Sequence, residues 1–100
     1  MPKHVNSIAE FDAEIKEGKV LVDLFATWCG PCRMLSPIVD EVEKEHPEVK
    51  FIKVDVDELP QVAARYDVVS IPTLVVLENG NLVNKAVGFM PKPNLEKLIA

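Results

Sequence analysis

Val20-Leu21-Val22-Asp23-Leu24-Phe25-Ala26 runs through Thr27 into Trp28-Cys29-Gly30-Pro31-Cys32, and a helical pattern takes over at Pro31. The first seven residues are apolar at both parities, as in a central strand covered on both faces; only Asp23 interrupts them. The chain's two cysteines sit three apart at the strand-to-helix turn. A thiol pair at this spacing closes a small ring with little backbone movement, and the turn sets the first sulfur beside helix N–H groups that lack partners. The chemistry implied is dithiol–disulfide exchange.

Working outward, residues 31–45 place Met34, Leu35, Ile38, Val39 and Val42 toward a sheet and Asp40, Glu41, Glu43 and Lys44 toward water. Pro37, deep inside this helix, predicts a kink. Residues 49–55 read as a second buried strand and Pro60 to Tyr66 as a short helix. Two strands joined through a helix should be parallel, with a right-handed crossover. Residues 73–78 and 82–87 flank Asn79-Gly80-Asn81, a strong hairpin signal, so those strands should be antiparallel. Upstream, Ser7-Ile8-Ala9-Glu10 has capping-box form, Ile8, Phe11 and Ile15 share one helical face, and Gly18 is placed as the stop. A short strand around Lys3 to Val5 precedes it. Gly88 closes the last strand, and Pro93 and Asn94 open a final helix carrying Leu95, Leu98 and Ile99. The sum is an α/β domain, a mixed sheet of roughly four to five strands with about four helices on its two faces.

Residues 1–100 are expected to form one domain, long enough to bury a core without staples. With 11 Lys+Arg against 16 Asp+Glu the net charge is −5, which suggests no basic face for nucleic acid or for a membrane surface. The first residues lack the apolar stretch of a secretory signal, and no window approaches the ~20 apolar residues that span a bilayer, so the expectation is a soluble, cytoplasmic protein. A cysteine pair this close closes too small a loop to stabilise much, which favours redox use over architecture. Half of a zinc site is the bland alternative. It needs two more ligands, and His4 and His46 are isolated and read better as solvated or capping side chains, so no metal is expected.

Within the site Cys29 is the expected attacking sulfur, because a helix beginning at Pro31 turns unpaired N–H groups and the positive dipole end toward it. Cys32, one turn on, attacks the mixed disulfide intramolecularly. Asp23 is a carboxylate inside a buried strand, and burial should raise its pKa so that it takes or returns the Cys32 proton, directly or through a water. A structural acid paired with Lys53 or with backbone stands as the other reading; Lys53, in the neighbouring strand, suits either role. Pro72, in Ile71-Pro72-Thr73, reads equally as a cis proline or an ordinary edge proline. Trp28 reads equally as core or as a contact surface beside the thiol.

Taken together these residues resemble the thioredoxin family over nearly the whole chain. Trp28-Cys29-Gly30-Pro31-Cys32 matches the family's active-site pentapeptide, and Asp23 stands at its buried acid. Pro37 stands at the kink proline, Ile71-Pro72-Thr73 at the cis-proline segment, Asn79-Gly80 at the hairpin turn and Gly88 beside the substrate groove. The resemblance implies the thioredoxin fold and general protein disulfide reduction without a bound cofactor. Electrons would come from NADPH through a thioredoxin reductase, or from a ferredoxin-linked one. It further implies a monomer whose partners are protein disulfides and the reductase, and a cis bond before Pro72. Trp28, Val69, Ile71, Gly88 and Phe89, with Gly30 and Pro31, would form an apolar docking surface around an exposed Cys29 sulfur. A thiol pKa of ~7, the known family value and not one obtained from these residues, raises the thiolate fraction about fifteenfold. A Brønsted slope of ~0.4–0.5 takes back about fivefold, so proximity of Cys32 must be the larger effect. Phe25 stands where many members carry a second tryptophan, Arg33 where lysine is common and Ser70 where glycine is frequent. The chain starts late and ends soon after Ile99, so the first strand and last helix should be short. Two alternatives remain: a disulfide oxidant or isomerase, which usually carries histidine between the cysteines, and a binding scaffold in which the thiols matter little.

Overall fold

In the computed structural model, which describes Met1–Ala100, Lys19–Phe25 is the central strand β2, paired on one side with β3 (Lys50–Asp55) and on the other with β4 (Thr73–Glu78). β3 runs parallel to β2, as required by the intervening helix α2 (Gly30–Glu45), and β4 runs antiparallel. β5 (Asn81–Val87) and the two-residue β1 (Lys3–His4) are the edges of a five-stranded sheet of order β1-β3-β2-β4-β5. Helices α1 (Ile8–Glu14), α3 (Pro60–Arg65) and α4 (Lys92–Ile99) complete the α/β fold.

Strand parity sorts the core into two layers. Val20, Val22 and Leu24 pack with Phe11, Ile15 and Val62 on the α1/α3 face, while Leu21, Phe51, Leu74 and Val76 pack with Leu35, Val39, Val42, Leu95 and Ile99 on the α2/α4 face. Asp23 shares the parity of Leu21, so it projects toward α2.

Local signals explain most boundaries. The Ser7 hydroxyl accepts the Glu10 N–H at the start of α1, and Glu10 reaches back to the Asn6 N–H, one residue earlier than the usual box. Gly18 is not the helix stop: α1 caps at Ile15, and Gly18, at φ 75°, instead turns the chain into β2, where it exchanges hydrogen bonds with Asn79. Asn79 and Gly80 both have positive φ, 51° and 86°, the requirement of a two-residue hairpin turn. Opposite β4, Val83 has no cross-strand partner, a one-residue bulge in the edge strand. Pro37 lies inside a continuous α2, where its missing N–H leaves the Arg33 carbonyl without a helical partner.

Met34 and Asp40 of α2 depart from the expected helical face, and Glu43 is likewise half-buried. Met34 points outward, 63% exposed, and Asp40 is drawn inward and half-buried. The buried stripe runs Cys32, Leu35, Val39, Val42 instead, because the sheet contacts a narrower arc of the helix than its apolar residues span. Leu35→Ala should therefore cost about 2–5 kcal/mol, and Met34→Ala less than about 0.5 kcal/mol, in urea unfolding; similar losses at the two positions would overturn the assignment of the buried face.

Candidate active site

β2 ends at Phe25 and α2 begins at Gly30, so one short turn carries the thiols from the sheet to a helix N-terminus. Cys29 is the N-cap of α2 with extended backbone, Pro31 lies in the first turn, and the Cys32 N–H donates to Cys29 Sγ at 3.2 Å. Cys29 and Cys32 form a disulfide with Cα atoms 5.3 Å apart. A sulfur so placed receives both a hydrogen bond and the positive end of a 16-residue helix, and both favour its thiolate once the disulfide is reduced. The Cys29 sulfur is not freely exposed as expected: the residue is only 4% accessible, because Ala26, Phe25, Val56 and Ile71 close around the pair.

Behind the disulfide a cavity of about 120 Å³ is lined by Asp23, Phe25, Ala26, Thr27, Cys32, Arg33, Ser36 and Lys53. Cys32, but not Cys29, opens into it. Asp23 is 4% exposed, and no protein group hydrogen-bonds its Oδ1. Burial pushes its carboxyl from an ordinary 3.8 up to about 6; the Lys53 charge pulls it back and the Asp40 charge pushes it further up. Lys53 lies in register with Asp23 across the β2–β3 ladder, yet its ammonium stands over the Phe25 ring, 4.4 Å from the centroid, and leaves Asp23 Oδ1 unpartnered. The structural pairing of Asp23 with Lys53 is thus not formed.

On the outer side, Trp28 is 68% exposed, and its Nε1–H donates to Asp57 Oδ2 at 2.9 Å, which resolves its ambiguity in favour of the surface. Trp28, Val69 and Ile71, with Val56, Ala63, Val68 and Ser70, line an apolar groove of about 180 Å³, and Val69 is 96% exposed. The Ile71–Pro72 peptide is cis, Pro72 is buried, and the Gly88 N–H donates to the Pro72 carbonyl at 2.8 Å. Gly30 is half-buried and Pro31 exposed at the helix start. Phe89 is separate: it lines a larger cavity, about 480 Å³, between β5 and α4 with Val87 and Met90. The histidines are not isolated. His4 meets Glu58 at 2.9 Å, and His46 meets Glu48 at 3.2 Å and Glu96 at 3.4 Å.

Sequence reasoning passed over Asp57 and set Asp40 toward water. Asp57 sits in the acidic loop after β3, where nothing in the pattern points to Trp28. Asp40, expected to face water, lies one turn after Ser36 and two after Arg33, both of which line the cavity.

The thioredoxin family model matches residues 3–100. The chain belongs to the thioredoxin family. It is 47% identical over 92 residues to a thioredoxin of Staphylococcus aureus, covering 91% of this chain and 88% of that protein. Among solved structures, Plasmodium falciparum thioredoxin superposes with a TM-score of 0.92 at 42% identity over 97% of this chain and 95% of that one. Oxidised mitochondrial thioredoxin 3 of Saccharomyces cerevisiae gives 0.89 at 35% identity over 97% and 92%. This thioredoxin-family member is a protein-disulfide reductase that works by dithiol–disulfide exchange, with the Cys29/Cys32 pair at disulfide distance, and like the family it needs no bound cofactor. No helix is long and apolar enough to cross a membrane.

The Asp23 environment makes a stability prediction. A carboxyl that binds its proton more tightly when folded contributes stability that is full below its unfolded pKa, near 4, and lost as pH rises through about 6. Asp23→Asn should therefore stabilise the oxidised protein at pH 7 by about 2–3 kcal/mol and flatten the decline between about pH 4 and 7. Urea unfolding across that range measures it; no gain at pH 7 would mean that the carboxylate is compensated in the folded chain.

Proposed function

We propose that Cys29 is the nucleophile, Cys32 the resolving thiol and Asp23 the group that accepts the resolving proton. In the reduced protein the Cys29 thiolate attacks one sulfur of a substrate disulfide and expels the other as a thiolate, giving a mixed disulfide. Cys32 then gives its proton to the Asp23 carboxylate, and its thiolate attacks Cys29 Sγ and displaces the second substrate sulfur. Asp23 returns its proton to a leaving thiolate through solvent. The other leaving thiolate takes a proton from solvent, so the substrate ends as two thiols and the protein as the Cys29–Cys32 disulfide, a two-electron exchange. The observation that carries this reading is the division of the two sulfurs: Cys29 Sγ takes the N–H at the helix mouth, while Cys32 opens onto the cavity that holds Asp23. Above about pH 6 Asp23 is mostly ionised and so a competent base, and Lys53 opposite it in the ladder supports that charge.

Docking of an extended substrate segment is assigned to the groove of Trp28, Val69 and Ile71, with the backbone around cis-Pro72, Gly88, Gly30 and Pro31 flanking it; Phe89, on the cavity between β5 and α4, lies apart from it. Residues 1–100 act as one monomeric domain in the cytoplasm. Protein disulfides are its substrates, and a thioredoxin reductase drawing on NADPH returns it to the dithiol form. The support is the family membership and the 47% identity to a bacterial thioredoxin, together with a net charge of −5 that suits neither nucleic acid nor anionic lipid.

In an insulin turbidity assay with dithiothreitol, Cys29→Ser should abolish acceleration, whereas Cys32→Ser should accumulate a covalent mixed disulfide visible on a non-reducing gel. Equal behaviour of the two variants would overturn the assignment of roles. Trp28→Ala should raise KM for a protein disulfide roughly tenfold or less while leaving the rate with a small aromatic disulfide within about twofold, since the ring supplies contact area and no proton.

A further inference from the structure

Two carboxylate oxygens in this protein are buried without any hydrogen-bond partner: Asp23 Oδ1 and Asp40 Oδ1. They belong to one layer. Asp23 projects from β2 toward α2, and Asp40 lies on α2 one turn beyond Ser36, on the side that forms the helix wall of the Asp23 cavity. A helix surface charge normally turns to water, as Glu41 and Lys44 do, or finds a partner, as half-buried Glu43 does in the N-terminal ammonium at 2.9 Å, but Asp40 is half-buried with one oxygen sealed from solvent and without a donor. Asp23 is the more deeply buried of the two, and a negative charge on Asp40 opposes a negative charge on Asp23 across a medium that screens poorly.

The remaining charges facing Asp23 are engaged elsewhere. Arg33 of α2 donates to the Thr27 carbonyl at 2.9 Å, and the Lys53 ammonium of β3 rests over Phe25. From β4 the neighbour of Asp23 is Leu74, which carries no charge. On the Ser36 side of α2 the acidic residues are Asp40 and, one turn further from the cavity, Glu43, which is paired with the N-terminal ammonium at 2.9 Å.

We propose that Asp40 is a positioning residue for the exchange reaction: its half-buried carboxylate, with one oxygen sealed and lacking a donor, sets how tightly Asp23 holds the proton that Cys32 gives up. Lys53 draws negative charge onto Asp23 and Asp40 repels it, and the repulsion makes Asp23 a stronger base. Asp40 touches neither sulfur nor substrate and acts only through Asp23. The assignment rests on Asp23 being the proton acceptor in the resolving step.

The test is a carboxyl-carbon NMR titration of Asp23 in the oxidised protein, paired with the pH profile of mixed-disulfide resolution in a single turnover with a disulfide peptide. In Asp40→Asn and Asp40→Ser the Asp23 midpoint should fall by about half to one pH unit, a roughly three- to tenfold loss of proton affinity, while Asp40→Glu retains most of the effect. The resolution profile should move to lower pH by the same amount. An unmoved Asp23 midpoint in both neutral variants overturns the role of Asp40. A midpoint that moves while the resolution profile stays in place upholds the coupling of the two carboxyls and overturns Asp23 as the proton acceptor.

Discussion

A hydrogen bond from the Cys32 N–H to Cys29 Sγ, 3.2 Å long, marks the constraint around which this molecule is arranged: a strand must end and a helix begin within four residues, with a sulfur at the join. That join is held from both sides. β2 is fixed by a parallel ladder to β3 and an antiparallel one to β4, and α2 is fixed by Leu35, Val39 and Val42 packed on the same sheet. Neither element can shift register without moving its apolar set off the core, so the sulfur stays at the helix mouth.

One junction thereby holds two acids with opposite preferences. The helix terminus favours negative charge on Cys29, and the interior disfavours it on Asp23, two positions before β2 ends. A group that sheds its proton readily then sits near one that keeps its proton longer, which is the arrangement a proton-coupled exchange requires. It costs stability at neutral pH, and the fold carries that cost in its central strand.

Phe25 sets the position of the nearest lysine. Its ring receives the Lys53 ammonium on one side and meets the His4 ring edge-on, with centroids 5.7 Å apart. The cation that could have neutralised Asp23 is held over an aromatic face, so the carboxyl keeps a raised proton affinity despite a lysine in register with it.

Residues 20–32 were sufficient on their own to place a buried strand, a turn and a dithiol at a helix start, because strand parity, the proline in the first turn and the cysteine spacing are local properties. The hairpin at Asn79-Gly80 and the Ser7 cap were legible for the same reason, as their backbone demands fall on adjacent residues. Other features depended on contacts between segments far apart in the chain. Met34 and Asp40 exchanged their expected environments because the arc of α2 that meets the sheet is set by the neighbouring strands and α4, not by the helix's own pattern. Trp28 became a surface residue through Asp57, and Lys53 lost its expected partner to Phe25. Period and capping are written within a few consecutive residues, but the solvation of each charge depends on which distant groups arrive beside it once the layers close.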